Sequence, residues 1–421
     1  MRFLYSVAWW LALPIVLARL WWRGRKEPGY RQHMAERFGF YGKRTTTMPL
    51  IWIHAVSVGE TRAAQPLIEA LLHAYPAHGI LLTHMTATGR ETGHTLFGKH
   101  GARVMQSYLP YDTGWMVGRF LRHFSPRLCV LMETEVWPNV MAQCARYRVP
   151  VMLANARLSE RSLGKAKRLA ALMTEAARSL TCVAAQTEAD AARIRKLGAP
   201  LVQVTGSIKF DVTPPPEMIA QGALLRARMG QRKVLLCAST REGEETLILD
   251  ALGGADADNG LVVIVPRHPQ RFDEVASMIA SHGFKLQRRS ALGDKAVAPD
   301  VQILLGDSMG EMFAYYEACD VAFIGGSLLP LGGQNLIEAC AVGKPVLVGP
   351  HTFNFSAVSD DAIEAGAALR LDDAPTMIDC ARKLLRDDAE RVRMGRQALA
   401  FAQQHRGATA RTMALVAPLL H

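Results

Sequence analysis

Along most of this chain, short apolar runs alternate with longer stretches whose apolar positions recur at helical spacing. In the first half the runs fall at 50–55, 80–85, 128–132, 149–154, 182–185 and 202–204. They are continuous rather than alternating, the pattern of strands buried on both faces of a parallel sheet. Helical patterns lie between them, such as 62–74, with Pro66 near its start and Tyr75-Pro76 closing it. Pro214-Pro215-Pro216 can continue neither a helix nor a central strand and marks a boundary. Beyond it the alternation resumes, with runs at 233–237, 261–265, 302–305, 321–324 and 346–348. The pattern predicts an α/β protein of two doubly wound, Rossmann-like domains facing a cleft, with ligands at the carboxyl ends of the strands. We place an N-terminal segment at 1–26, a first domain at 27–211 and a second at 212–421. The last helical stretch, 394–420, is free in this reading to pack back on the first domain.

The N-terminal segment breaks the pattern. Phe3 to Trp22 is apolar except for Ser6, Pro14 and Arg19. As a helix it would span ~30 Å, a bilayer's hydrocarbon thickness. Trp9, Trp10, Trp21 and Trp22 suit interfacial depths, and Arg19 can snorkel. Basic residues, rather than a small-residue cleavage site, follow the run, so it reads as a retained membrane anchor. Its basic end places the remaining chain on the cytoplasmic side of the inner membrane. A spanning helix is the first reading, and a helix lying in the interface plane is the alternative.

Charge agrees with this picture. The net charge is +11, and residues 1–44 carry nine Lys or Arg against Glu27 and Glu36. The excess therefore gathers beside the apolar run as a collar for anionic lipid headgroups, rather than over a folded face as nucleic-acid binding requires. The seven cysteines form no C-x-x-C pair and mostly lie in apolar runs, which fits buried small side chains and no zinc site.

Candidate chemistry sits at strand ends. Gly325-Gly326-Ser327 through Gly332-Gly333 follows one run and precedes Gln334-Asn335-Leu336-Ile337-Glu338, read as the first turn of a helix. Such a loop suits either a phosphate or a tight packing turn. Gly306-Asp307-Ser308-Met309-Gly310-Glu311 is a second candidate, with Asp307 or Ser308 as a plain helix cap in the alternative. Pro266-Arg267-His268-Pro269 is a third. Together the three describe a nucleotide site without a fixed metal. In the first half, Ser57-Val58-Gly59-Glu60 follows a strand and opens a helix. There Glu60 is either a general base or a charge favoured by the helix dipole, which tends to lower its pKa. Glu133 and Glu135 fall on opposite faces if their stretch is extended, so spacing does not make them a pair.

These residues, with Met132 to Asn139, Ala154 to Ser159, Thr205 to Asp211 and Gly349 to Phe355, resemble the bacterial 3-deoxy-D-manno-octulosonic acid (Kdo) transferases of lipopolysaccharide synthesis. The resemblance runs in order from the anchor to about residue 410. It implies a B-type glycosyltransferase fold, CMP-Kdo as donor, a lipid A precursor (lipid IVA) as acceptor, and neither metal nor cofactor. Glu60 is then the catalytic base. Arg267, His268, Met309, Gly310, Glu311, Asn335, Leu336, Ile337 and Glu338 are the implied donor contacts, and Ser57, Gly59, Glu133 and Lys209 the implied substrate contacts. The chain departs from the family at Gln334, where a histidine is usual; Gln keeps hydrogen bonding but carries no proton near neutrality. A sugar-nucleotide epimerase or hydrolase of the same fold, and a non-catalytic membrane-associated nucleotide-binding module, are the alternatives.

Overall fold

The computed structural model describes residues 1–25, 27–43, 46–160, 162–164, 170–253 and 260–420. Lys26 and Arg44 of the basic collar lie outside them. The chain forms two compact units, Met1–Asp211 with His405–His421, and Val212–Gln404.

The first unit holds seven strands, β1 (Leu50–His54), β2 (Gly79–His84), β3 (Val104–Tyr108), β4 (Leu128–Met132), β5 (Val151–Ala156), β6 (Cys182–Ala185) and β7 (Val202–Val204). They are all parallel, in the order β3-β2-β1-β4-β5-β6-β7. Both faces of β1 are covered. Leu50 and Trp52 pack with Phe120, Leu131 and Val140 on one side, and Ile51 and Ile53 with Leu67, Leu71 and Val130 on the other. Each fully buried side chain of this size contributes about 1.5–3 kcal/mol, so the central strands are the unit's rigid part. The expected helix 62–74 is two helices, Val58–Ala63 and Gln65–Ala74, with Pro66 within the first two positions of the second. The terminal helix Ala408–Val416 packs on Gln65–Ala74 through Ala408, Leu415 and Val416. Asp211 fixes its start by accepting the Gly407 and Thr409 N–H groups. The second unit accordingly ends at Gln404, short of 421.

The second unit repeats the design with β8 (Val234–Thr240), β9 (Leu261–Pro266), β10 (Leu286–Arg288), β11 (Ile303–Leu305), β12 (Val321–Ile324), β13 (Val346–Val348) and β14 (Ala368–Arg370). These too are parallel, in the order β10-β11-β9-β8-β12-β13-β14. In each sheet the strand order reverses beside the first strand, between β1 and β4 and between β8 and β12. Crevices open at such switch points, outside the strands' carboxyl ends. All seven cysteines are free, and six are buried.

The N-terminal helix runs Arg2–Arg23 and is long and apolar enough to cross a membrane, which fits an anchor. It lies against the first unit from end to end. Arg2 pairs with Glu175 at 2.9 Å, Asn139 Nδ2 donates to Ser6 Oγ at 3.1 Å, and Leu13 packs with Tyr111 and Met116. Arg23 stands over the Tyr30 ring. Phe3, Leu4, Leu11, Ile15, Trp21 and Trp22 are exposed on its other side.

Candidate active site

Glu60 stands at the switch point of the first unit. β1 ends at His54, and Ser57 caps the helix Val58–Ala63 in a capping box, its Oγ accepting from Glu60 N at 3.5 Å. The Glu60 carboxylate reaches back so that Oε2 accepts the backbone N–H of Val56, and that of Ser57 at 3.2 Å. Neither bond uses Oε1. Burial pushes the Glu60 pKa up to about 7, with the charges of Glu135 and Glu133 acting in the same sense and the two N–H donors against it. Desolvation and like charge therefore outweigh the helix dipole, which by itself lowers this pKa.

The two neighbours come from the end of β4, and they correct another expectation. Glu133 is not extended: its φ is 56°, and Glu135 N turns back to donate to Met132 O at 3.3 Å. The face argument fails once the strand stops at Met132, and both carboxylates act on Glu60. Glu133 is paired with Lys209 at 3.1 Å. Glu135 accepts from Trp137 Nε1 at 2.9 Å, and burial raises its pKa. Of the implied substrate residues, Ser57, Glu133 and Lys209 thus gather with Glu60. Gly59 is exposed, and a Cβ there would meet only Ser57 Oγ, at 3.9 Å. His54 is fully enclosed on Thr83 Oγ1 at 2.9 Å, and burial holds it neutral with a pKa of about 3, so it is a core histidine.

In the second unit the three strand-end motifs fall on one edge of the sheet, because β11, β9, β8 and β12 are parallel neighbours. Arg267 and His268 leave β9, with Arg267 N bonded to Thr240 O at 2.9 Å. Burial lowers the His268 pKa, and Arg241, Arg267 and Arg271 add to this, so the corner is electropositive. Met309 is exposed, and Gly310 (φ 82°) has open space around it. Glu311 is engaged by Arg289 at 3.1 Å, by Ser308 Oγ at 2.5 Å and by Gln221. Asp307 does not cap the following helix; it accepts from Ser290 Oγ at 2.6 Å.

The glycine loop differs most from expectation. The N–H groups of Gly326, Ser327 and Leu328 converge on Glu244, at 2.5, 3.0 and 2.9 Å, and Arg241 N adds a fourth donor at 2.9 Å. The anion in this loop is the protein's own, fully buried carboxylate. Residues 334–336 precede the helix, which begins at Ile337. Leu336 and Ile337 are core residues at 1% and 0% exposure, so their side chains are not offered to a ligand. Asn335 accepts from Ile337 N at 3.1 Å and donates to Glu338 at 3.3 Å, leaving these two as the polar pair of that motif. Arg241 and Glu244 were missed. Their signal was Gly243-Glu244-Glu245 at a strand end, which parallels Gly59-Glu60. Among the described residues, no group of three His, Cys, Asp or Glu side chains is placed to hold a metal ion.

Two parallel, doubly wound units of this kind have the B-type glycosyltransferase fold. A glycosyltransferase structure from Rickettsia africae shares this fold with a TM-score of 0.57 at 12% identity, over 89% of this chain and 99% of that one. The family model of 3-deoxy-D-manno-octulosonic-acid transferase (kdotransferase) matches residues 32–212. The 3-deoxy-D-manno-octulosonic acid transferase of Bordetella pertussis is 46% identical over 98% of both chains. That of Haemophilus influenzae is 36% identical over 100% of this chain and 99% of its own. The chain belongs to the 3-deoxy-D-manno-octulosonic acid transferase family. Membership of a transferase family sets aside the epimerase alternative.

Proposed function

We propose that this chain transfers Kdo from CMP-Kdo to a lipid A precursor in lipopolysaccharide assembly, with Glu60 as general base. The observation that carries the reading is the Glu60 carboxylate itself. It lies at a switch point, fixed through Oε2, with Oε1 not engaged by the turn and a pKa of about 7. A base with that value is ionised for much of the time near neutrality and remains a competent proton acceptor. In the reaction an acceptor hydroxyl gives its proton to Glu60 as its oxygen bonds to the anomeric carbon. The bond from that carbon to the phosphate oxygen breaks, and CMP leaves with the electron pair. The departing phosphate needs positive charge, which Arg241 and Arg267 can supply, with the imidazole of His268 beside them as a hydrogen-bond partner. Asn335, Glu338 and the exposed Met309-Gly310 turn are the other donor contacts in this reading. No step calls for a metal or a cofactor.

The acceptor is a phosphorylated, acylated disaccharide held in a membrane, and the N-terminal helix supports a surface location. Because the helix is applied to the first unit along its length, we read it as lying in the interface plane of the inner membrane on the cytoplasmic side. Its exposed apolar face then meets lipid and its basic residues meet anionic headgroups. The test is transfer of labelled Kdo from CMP-Kdo to a tetra-acylated lipid A precursor in detergent, comparing wild type with Glu60→Gln. Loss of transfer by roughly 10²–10⁴-fold in a folded variant is expected. Equal rates would sink the base assignment.

A further inference from the structure

Three contacts between the N-terminal helix and the first unit converge on one corner. Tyr5 hydrogen-bonds Asp112. Asp112, 3% exposed, accepts Asn139 N at 3.0 Å and Val140 N at 2.8 Å, so it holds the start of the helix Pro138–Arg146. Ser6 is bonded to the Asn139 side chain at 3.1 Å. The ring of Trp9 lies 6.3 Å from that of Trp137, the residue capping the same helix. Trp137 in turn donates its indole N–H to Glu135 at 2.9 Å, and Glu135 bears on Glu60. A plain tether has no need to pack against the loop that carries a site carboxylate.

We propose that the N-terminal helix is part of the acceptor site, its docking through Tyr5, Ser6 and Trp9 fixing the corner from which Trp137 holds Glu135 beside Glu60. This rests on the reading of Glu60 as base. Tyr5, Ser6, Trp9 and Trp137 are positioning residues: they act through Glu135 and touch no reacting atom. The device couples catalysis to the membrane, because the surface that meets lipid is the back of the helix whose front orders the site. The charged groups around Glu60 are Glu135 and Glu133, with Lys209 beyond Glu133. The indole N–H favours the ionised form of Glu135. Its loss leaves Glu135 more often neutral, weakens the repulsion at Glu60 and lowers the pH at which Glu60 ionises.

The experiment measures kcat, KM and the pH profile of Kdo transfer in detergent micelles, where tethering is irrelevant. The full chain is compared with Trp137→Phe and with the pair Tyr5→Phe and Ser6→Ala, with Glu60→Gln as reference. Both altered chains should keep their thermal midpoints. Both should lose kcat roughly tenfold, since small misplacements are costly, and both should shift the acid limb of kcat/KM to lower pH. Unchanged kcat and an unmoved limb in both, with Glu60→Gln inactive, overturns this inference alone. An active Glu60→Gln overturns the base reading and this inference with it. If the double variant unfolds, Trp137→Phe, which keeps a ring in place, decides the matter.

Discussion

Glu60 and Glu244 are built alike and placed in opposite surroundings. Each follows the first strand of its sheet, sits in the first turn of a helix and bends back to the backbone N–H groups of its own turn. Each stands at its sheet's switch point. Glu244 then takes three more N–H donors from the loop after β12 and is fully enclosed, so its carboxylate closes the crevice and defines the loop. Glu60 takes no donor from the end of β4. What it finds there is two more carboxylates, which raise its proton affinity. The difference teaches that a strand-end glutamate is structural when donors consume its lone pairs. Where an oxygen is left over and the surroundings are negative, as at Glu60, the carboxylate keeps a raised proton affinity, the property the proposed base role needs.

The sharpest way to break this comparison is to make the same change in both places. Glu60→Gln should abolish most transfer while changing stability by less than about 1 kcal/mol, because glutamine also completes a capping box. Glu244→Gln should do the reverse. An amide nitrogen turned into four converging donors leaves buried groups unsatisfied, at about 2–4 kcal/mol. Urea unfolding reads this directly, and a Glu244→Gln protein as stable as wild type would remove the contrast.

A smaller effect follows from pH. The folded Glu60 pKa of about 7 exceeds its ordinary value of 4.5, so the folded state binds the extra proton between them. The stabilisation linked to Glu60 is therefore full below about 4.5 and is lost as pH rises through about 7. With Glu60 as the proposed base, activity should run the other way, rising through the same region as the carboxyl ionises. Glu135→Gln removes the larger of the two like-charge effects and should move the acid limb down by roughly half a unit to one unit. A limb that stays in place would show that Glu135 does not bear on the base.

The sequence made the sheets legible where strands are central. The runs at 128–132, 182–185, 321–324 and 346–348 match the central strands β4, β6, β12 and β13, and the run at 202–204 matches β7, an edge strand. The strands that escaped notice, β3, β10 and β14, are edge strands with one neighbour each, and polar residues interrupt them, as in Val104-Met105-Gln106-Ser107-Tyr108. A half-covered strand needs no continuous apolar run, so its signal is weak. At the candidate site the positions of Glu60 and its cap were legible, because Ser-x-x-Glu after an apolar run has a local cause. The pKa of Glu60 was not. It is set first by burial in the folded turn and then by the carboxylates of Glu135 and Glu133, brought round by a left-handed residue at Glu133 that nothing in Met132-Glu133-Thr134-Glu135 announces. The occupied glycine loop was hidden for a similar reason, since Glu244 lies 82 residues from Gly326.

The smallest effect tests whether the cap or the carboxylate cluster governs Glu60. Ser57→Ala removes one acceptor at the helix start, where the bond is already long at 3.5 Å, so stability should fall by about 1 kcal/mol or less. The Val56 and Ser57 N–H groups that hold Oε2 belong to the backbone and remain. If desolvation and the charges of Glu135 and Glu133 set the proton affinity, Ser57→Ala leaves the acid limb of kcat/KM where it was. If the limb moves as far as in Glu135→Gln, the capping box sets the base, and the local turn rather than the end of β4 separates Glu60 from Glu244.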